Sequence, residues 1–126
     1  MTQEDKELLL KDLCARLPYG VRVTTTNPAV EFGVISGVSI ENKISVRTKH
    51  ADIVFACTEV KPYLFPLSSM TKEQYSEFTD MGYSVTERWW SMANYHQLDW
   101  FHKNHFDYKG LIDKGLAIDA TGLNIY

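Results

Sequence analysis

The chain has 126 residues, of which 44% are hydrophobic and 13% are aromatic, and its formal net charge is −3. This length suits one domain over residues 1–126, and the apolar content excludes a disordered chain. The weak negative charge gives no general attraction to nucleic acid or to an anionic membrane.

The sequence also predicts a cytoplasmic location. No apolar run approaches the roughly 18 residues that a membrane-spanning helix needs. The start of the chain, MTQEDKELLLKD, is acidic and its apolar run is three leucines, whereas a secretory signal has a basic start and a longer apolar stretch. Cys14 and Cys57 lie in apolar surroundings and do not form a CxxC motif, so we expect both to be reduced core residues.

The predicted elements begin with a helix over residues 3–15, capped by Thr2, whose leucines recur at helical spacing. Residues 21–57 then alternate between apolar and polar side chains, which is the period of half-buried strands. Four short strands in succession predict a small antiparallel meander or an SH3-like barrel. Pro62 and Pro66 then favour an extended connection.

Helices return in the second half of the chain. A capping box precedes a helix over about 72–81, and an amphipathic pattern predicts a longer helix over about 86–104. Asp107 and Gly115 are placed to begin and to end a last helix over 108–114. One helix before the strands and several after them make the predicted class α+β.

Polar side chains late in the chain suggest a metal site at first sight, because Asp99, His102, His105 and Asp107 lie within nine residues. On one helix these side chains point apart, whereas zinc needs three or four converging ligands. The helical zinc signature HExxH is absent from the sequence. We therefore predict no metal and no cofactor, but a surface pair between Asp99 and His102.

A catalytic interpretation uses the same residues. Asp99 would orient His102 as a general base, and Tyr95 would bind a substrate oxygen. The sequence contains no GxSxG motif and no glycine-rich phosphate loop. A metal-dependent or His-based hydrolase is therefore an alternative without an assigned catalytic residue, and we expect no enzyme.

The tryptophans suggest a second interpretation beside a core role. An aromatic arc on a helix is typical of a core, but tryptophan also anchors protein interfaces. We predict a non-enzymatic interaction or accessory domain whose partner is another protein or a second copy of the chain. The candidate surface residues are Tyr95, Asp99, His102, Trp89 and Trp100.

Basic residues on the strands give a further alternative, a nucleic-acid-associated module. Small barrels bind nucleic acid through basic faces that carry aromatic side chains. The residues interleaved here are Thr and Ser, which favours a plain solvated face. The candidates for this function are Arg22, Lys43, Arg47 and Lys49.

Three segments carry a resemblance: LLLKDLCARLPYGV, VKPYLFPLSSMT and NHFDYKGLIDKGLAI. Together they resemble small uncharacterised proteins of gut bacteria and their prophages or mobile elements. That family has no assigned activity, so no functional residue is carried over to this chain. The resemblance implies a bacterial or phage-borne cytoplasmic protein.

Overall fold

The computed structural model describes residues 1–30, 33–39, 41–82 and 93–126. The first element is helix α1, Gln3–Arg16, which begins where the hydroxyl of Thr2 accepts a hydrogen bond from the backbone N–H of Asp5. The helix predicted over 3–15 is therefore confirmed. A short 3₁₀ turn over Leu17–Tyr19 follows, and Gly20 at φ +66° redirects the chain into the sheet.

The sheet is mixed. Its strands are β1 Arg22–Thr25, β2 Gly33–Val38, β3 Lys43–Arg47, β4 Asp52–Ala56, β5 Val60–Pro66, β6 Phe106–Asp107 and β7 Ile118–Asp119. The first five strands pair antiparallel in the order β4-β3-β2-β1-β5, and the two-residue strands β6 and β7 lie parallel to β5. Among the described residues β4 pairs on one side only, so the strands do not close into an SH3-like barrel.

Strand β5 lies in the segment predicted to be only an extended connection. The N–H of Thr26 donates to the carbonyl of Glu59, so these two residues form a hydrogen-bonded pair. Hydrogen-bonded and non-bonded pairs alternate along antiparallel strands, which makes the pair of Val23 and Pro62 a non-bonded one. Pro62 falls at a position that makes no hydrogen bond to β1, so its missing N–H costs nothing on that side. The prediction of a connection without strand pairing is therefore wrong for this proline-containing segment.

Helix α1 packs on one face of the sheet, and the main core lies between them. Its leucines Leu9 and Leu13 are fully buried against apolar side chains from all five long strands. A second cluster surrounds the later helices and consists of Phe78, Trp100, Phe101, Phe106 and Tyr108. Within the described ranges, no helix has the length and apolarity needed to cross a membrane.

One cysteine prediction is wrong. Cys57 is buried, but Cys14 is exposed, and both are free thiols. The buried face of α1 instead carries Asp12 and Arg16 beside the two leucines. Positions 9, 12, 13 and 16 follow helical spacing, so residue 14 lies outside the face that meets the sheet.

Helix α2, Lys72–Asp80, confirms the helix predicted over about 72–81. Its capping box is complete, since the Thr71 hydroxyl accepts from the Gln74 N–H at 3.1 Å and the Gln74 side chain accepts from the Thr71 N–H at 2.9 Å.

The helix predicted over 86–104 is shorter within the described residues. Helix α3 spans Tyr95–Lys103, and residues 83–92 lie outside the described ranges. Asn94 has extended backbone at ψ 176° and caps α3, with Gln97 completing a second capping box. Residue 94 is therefore a helix start and not the interior of a helix, because the asparagine side chain accepts a hydrogen bond from a backbone N–H of the first turn of α3.

The helix predicted over 108–114 is wrong, since the chain forms turns there. Asp107 does act as a cap, and its carboxylate accepts from the N–H groups of Leu111 at 3.0 Å and Ile112 at 2.9 Å. Gly110 and Gly115 both have positive φ, at +76° and +74°. Left-handed backbone at residue 110 prevents the first helical turn from propagating.

Candidate functional site

Each of the polar side chains that resembled a metal site has a partner of its own. Asp99 accepts a hydrogen bond from the Tyr19 hydroxyl, and the His102 Nε2 lies 2.6 Å from the Tyr108 hydroxyl oxygen. In the part of the chain that the structure describes, no three His, Cys, Asp or Glu side chains are placed to hold one metal ion. The groups therefore fix different segments to one another and do not converge.

The predicted pair between Asp99 and His102 is replaced by two separate contacts. The hydrogen bond from Tyr19 to Asp99 joins residues 80 positions apart, which local sequence spacing cannot reveal. This bond raises the pKa of Tyr19, with smaller contributions from burial and from the negative charge of Asp99. Tyr19 thus belongs to the site although the sequence pattern did not identify it.

His102 is partly buried and electrically neutral at pH 7. Burial, reinforced by the nearby Arg16 guanidinium, lowers the pKa of His102 to about 4. Burial also raises the pKa of Tyr108 to about 12. A neutral imidazole and a neutral phenol share one proton in their hydrogen bond, with the donor set by the imidazole tautomer. This hydrogen bond joins α3 to the residue that directly follows β6.

His105 lies at the corner between α3 and β6, as a residue packed near the helix end. Its ring stacks on Tyr126 with the centroids 3.8 Å apart and the planes 13° apart. The Tyr126 hydroxyl donates to the Tyr63 carbonyl and accepts from the Arg22 N–H, both at 2.8 Å. Burial is the first cause that lowers the pKa of His105 to about 4. His105 and Tyr126 together hold the end of the chain against the sheet.

A buried ion pair, which the sequence analysis missed, joins α1 to β6. The Arg16 Nε donates to the Asp12 carboxylate at 2.8 Å, and both side chains are fully buried. The Arg16 Nη2 donates to the Phe106 carbonyl at 2.6 Å, and the guanidinium carbon lies 5.8 Å from the centroid of the Tyr108 ring. The detectable signal was the Asp-Arg pair at i, i+4 on the helical face that also carries Leu9 and Leu13.

The tryptophan candidates do not form an exposed surface. Trp100 is buried, stacks on Phe106 with the planes 9° apart, and donates from its Nε1 to Glu77 at 3.1 Å. Trp100 is therefore a core residue and not an interaction residue. Trp89, with its neighbour Trp90, lies outside the described residues.

The interaction candidates that remain accessible lie at the start of α3. Tyr95 is 78% exposed in the first helical turn, and its ring meets the exposed His96 edge-on at 5.6 Å. Asp99 follows one turn later and holds Tyr19, whose pKa the nearby Tyr95 phenol also raises. We call these four residues, Tyr19, Tyr95, His96 and Asp99, the aromatic patch.

The aromatic patch stands on a firmly held helix terminus. The Asn94 side chain donates to the Met81 carbonyl at 2.8 Å, and the buried Gln97 side chain donates to the Phe78 carbonyl at 3.2 Å. These bonds fasten the first turn of α3 to the end of α2. The exposed ring of Tyr95 is consequently presented from a fixed backbone.

The basic strand residues separate into different locations. Cross-strand pairing places Arg22, Val34 and Arg47 in one row on the outer face of the sheet. Lys43 lies at the opposite end of β3, and Lys49 lies in the turn after it. The Arg47 Nε is 3.3 Å from Asp52, which partly neutralises its charge. The four candidates therefore do not form a continuous basic stripe.

A cleft of about 700 Å³ opens at the end of the sheet, between the loop after β1 and the turn after β3. Arg47, Lys49 and His50 line it together with apolar side chains such as Val30 and Ile53. Arg22 and Lys43 are not part of this cleft, so it gathers only half of the basic candidates.

Comparisons of the chain with protein-family models, with curated proteins and with solved structures each found no match.

Proposed function

We propose that the chain is a non-enzymatic interaction domain that binds another protein through the aromatic patch. The observation that carries this proposal is Tyr95, a large aromatic side chain that is 78% exposed at a rigid helix start. Aromatic side chains on fixed backbone lose little entropy on binding and are enriched among the residues that dominate interface energies. The proposed setting is a bacterial or phage-borne cytoplasmic protein.

The histidines support binding over catalysis. A general base must reach the proton that it removes from the substrate. His102 faces the Tyr108 hydroxyl, and His105 is stacked against Tyr126, so both imidazoles contact neighbouring rings of the same chain. These contacts account for the two histidines as parts of the fold, and the hydrolase alternative receives no support from them.

The chemistry of the aromatic patch favours a basic segment in the partner. The electron-rich faces of tyrosine rings attract lysine and arginine side chains, and Arg also forms strong hydrogen bonds with a carboxylate. Asp99 supplies that carboxylate beside Tyr19 and one helical turn from Tyr95. The net charge of −3 adds a weak general attraction in the same direction.

A second copy of the chain fits this patch less well than another protein does. In a two-fold contact the same patch faces itself. Asp99 of each copy would then approach the other, and like charges oppose such a contact. Nucleic acid, which is also negatively charged, fits the patch poorly for the same reason.

The test is binding to immobilised peptides that carry Arg and Lys among apolar residues, with matched peptides in which Glu replaces the basic residues. We expect the basic peptides to bind, and Tyr95→Ala to weaken that binding by about 10-fold or more, which corresponds to about 1.4 kcal/mol. Tyr75→Ala removes an exposed tyrosine from α2 and is the matched control.

Two outcomes would contradict the proposal. One is equal binding of the basic and the acidic peptides, and the other is equal loss of binding in the Tyr95→Ala and Tyr75→Ala variants. Circular dichroism of each variant separates a lost contact from a lost fold, because Tyr95 is exposed and its removal leaves the core intact.

A further inference from the structure

Strand β4 ends the sheet on one side. Among the described residues it pairs with β3 alone. Natural proteins protect such edges with lysine, proline, bulges or short strands, since an open edge pairs readily with another strand. The sequence of β4, Asp-Ile-Val-Phe-Ala, contains one charged residue at its first position and no proline, and its pairing with β3 contains no bulge.

The hydrogen bonds at the two ends of β4 fix which backbone groups face outward. The N–H of Thr48 donates to Ala51 at 2.9 Å, and the N–H of Cys57 donates to Asn42 at 3.1 Å. Bonded pairs alternate in an antiparallel ladder, so residues 51, 53, 55 and 57 bond to β3. The N–H and C=O groups of Asp52, Val54 and Ala56 therefore point away from β3, toward the open side of the sheet.

We propose that the open edge of β4 pairs antiparallel with β4 of a second copy of this chain, about a two-fold axis through Val54. In this register, Val54 faces Val54 of the second copy, and Asp52 faces Ala56 of the second copy. These are the residues whose backbone groups point outward, so every facing pair exchanges both of its hydrogen bonds. The two sheets join into one continuous sheet.

The side chains of β4 are complementary to themselves in this register. Val54 is 63% exposed on the outer face, and pairing covers it with the same β-branched side chain from the second copy. On the opposite face, the half-buried Ile53 meets Phe55 of the second copy, next to the existing core. Apolar residues therefore face apolar residues on both sides of the joined sheet.

The charges on the outer face are complementary as well. Within one chain Lys43 pairs across from Ala56, and Arg47 pairs across from Asp52. In the dimer, Asp52 faces Ala56 of the second copy, and Lys43 of the second copy lies one strand further on. The long lysine side chain reaches over the small alanine toward Asp52, whose side chain is 46% exposed. The two-fold axis repeats this attraction, and no like charges face each other.

This self-complementarity favours a second copy over an unrelated peptide as the occupant of the edge. An unrelated strand supplies backbone hydrogen bonds to any open edge. In the two-fold register Val54 faces Val54 and Asp52 faces the small Ala56, and Lys43 beside that Ala56 supplies a charge partner for Asp52. The β4 edge is distinct from the aromatic patch, so the two interactions are independent of each other.

The test measures molecular mass by sedimentation or light scattering for the wild-type chain, for Val54→Lys and for Val54→Glu. The wild type is expected near twice its chain mass of 14.5 kDa. Each variant places two like charges across the two-fold axis, so we expect its dimer dissociation constant to rise by about 10-fold or more. An equimolar mixture of the two variants is expected to restore the dimer, because Lys then faces Glu.

The mixture separates a lost interface from a lost fold, since misfolded variants do not recover on mixing. Leu123→Lys, at another exposed apolar residue, is the matched control and is expected to remain dimeric. A wild-type chain that is still monomeric at about 100 μM, a concentration at which a dimer of micromolar affinity forms, would overturn the proposal. So would Val54→Lys and Val54→Glu chains that are each as dimeric as the wild type. Tyr95→Ala is expected to leave the mass unchanged, so a failure here does not affect the proposed function.

Discussion

The first four strands and the segment from Asn94 to Tyr126 are held together in different ways. The strands form a meander whose neighbours in sequence are neighbours in space, and buried residues alternate with more exposed ones along β3 and through the first half of β2. The later segment has little regular structure after α3. Its apolar side chains, such as Leu111 and Phe106, join the two core clusters. Single polar groups also fasten it to distant parts of the chain, as Arg16 does with the Phe106 carbonyl and Tyr19 does with Asp99.

This difference predicts how each region responds to mutation. A strand core held by many apolar contacts tolerates changes that keep volume and hydrophobicity. A segment fastened by individual hydrogen bonds and ion pairs loses a whole contact when one group is removed, and the remaining partner stays buried and unsatisfied. We therefore expect the largest effects on stability in the later segment and its partners on α1.

The largest effect is expected for Arg16→Met. This substitution keeps an unbranched apolar stem like that of arginine but leaves the Asp12 carboxylate buried without its partner. Breaking one side of a buried ion pair typically lowers the free energy of unfolding by about 3–5 kcal/mol. Urea unfolding followed by circular dichroism measures this loss directly.

The double variant Asp12→Leu with Arg16→Met is the matched control. It removes both charges and places apolar side chains in an apolar interior, so we expect it to recover most of the stability that Arg16→Met loses. A double variant no more stable than Arg16→Met would instead assign the loss to the Phe106 carbonyl, which accepts from Arg16 in the wild type.

Acidification is expected to weaken the later segment next. The pKa values of His102 and His105 are each lowered to about 4 in the folded chain, first by burial and then by Arg16. The unfolded chain, with an ordinary histidine pKa near 6.5, binds more protons in this range. The free energy of unfolding therefore falls as the pH drops from about 6.5 to 4. Since both rings are only partly buried, we expect a loss of about 1–2 kcal/mol.

Unfolding curves at pH 7.5, 5.5 and 4.5 measure this slope, and His102→Gln with His105→Gln provides the comparison. Glutamine does not titrate, so the double variant is expected to show a smaller drop over the same range. His50→Gln changes an exposed histidine in the turn after β3, away from His102 and His105, and serves as the control. Equal slopes in the wild type and in the His102 and His105 double variant would show that the two imidazoles titrate alike in the folded and unfolded chains.

The two regions also differ in how much their sequences reveal. The alternation of Ile44 and Val46 with Lys43, Ser45 and Arg47 predicts a strand and its buried face without knowledge of its neighbours. The Thr2 cap at the start of α1 and the capping box at the start of α2 are equally local, and these elements lie where the sequence predicted them. Periodicity and capping therefore account for the α+β class.

The later segment resists such prediction because its decisive contacts are long-range. The pattern around residues 108–114 matched a helix, but the backbone at Gly110 is left-handed and the chain turns instead. Trp100 was a candidate for both core and interface, and only its contacts with Phe106 and Glu77 assign it to the core. Helical spacing placed Asp99 beside His102, whereas Tyr19, 80 residues away, holds the carboxylate.

The smallest effect is expected for a conservative change in the meander. Ile44→Val removes one buried methylene group, and such changes typically cost about 0.5–1.5 kcal/mol. Ile44 packs in a core shared by α1 and all five long strands, so its neighbours still provide many apolar contacts after the change. Urea unfolding of Ile44→Val beside Arg16→Met places both regions on one scale. A loss in Ile44→Val as large as that in Arg16→Met would contradict the distinction between the regions, because one methylene would then matter as much as a buried charge. A smaller loss supports the inference that distributed apolar contacts hold the meander, while in the later segment single buried polar groups add contacts whose loss the apolar packing does not offset.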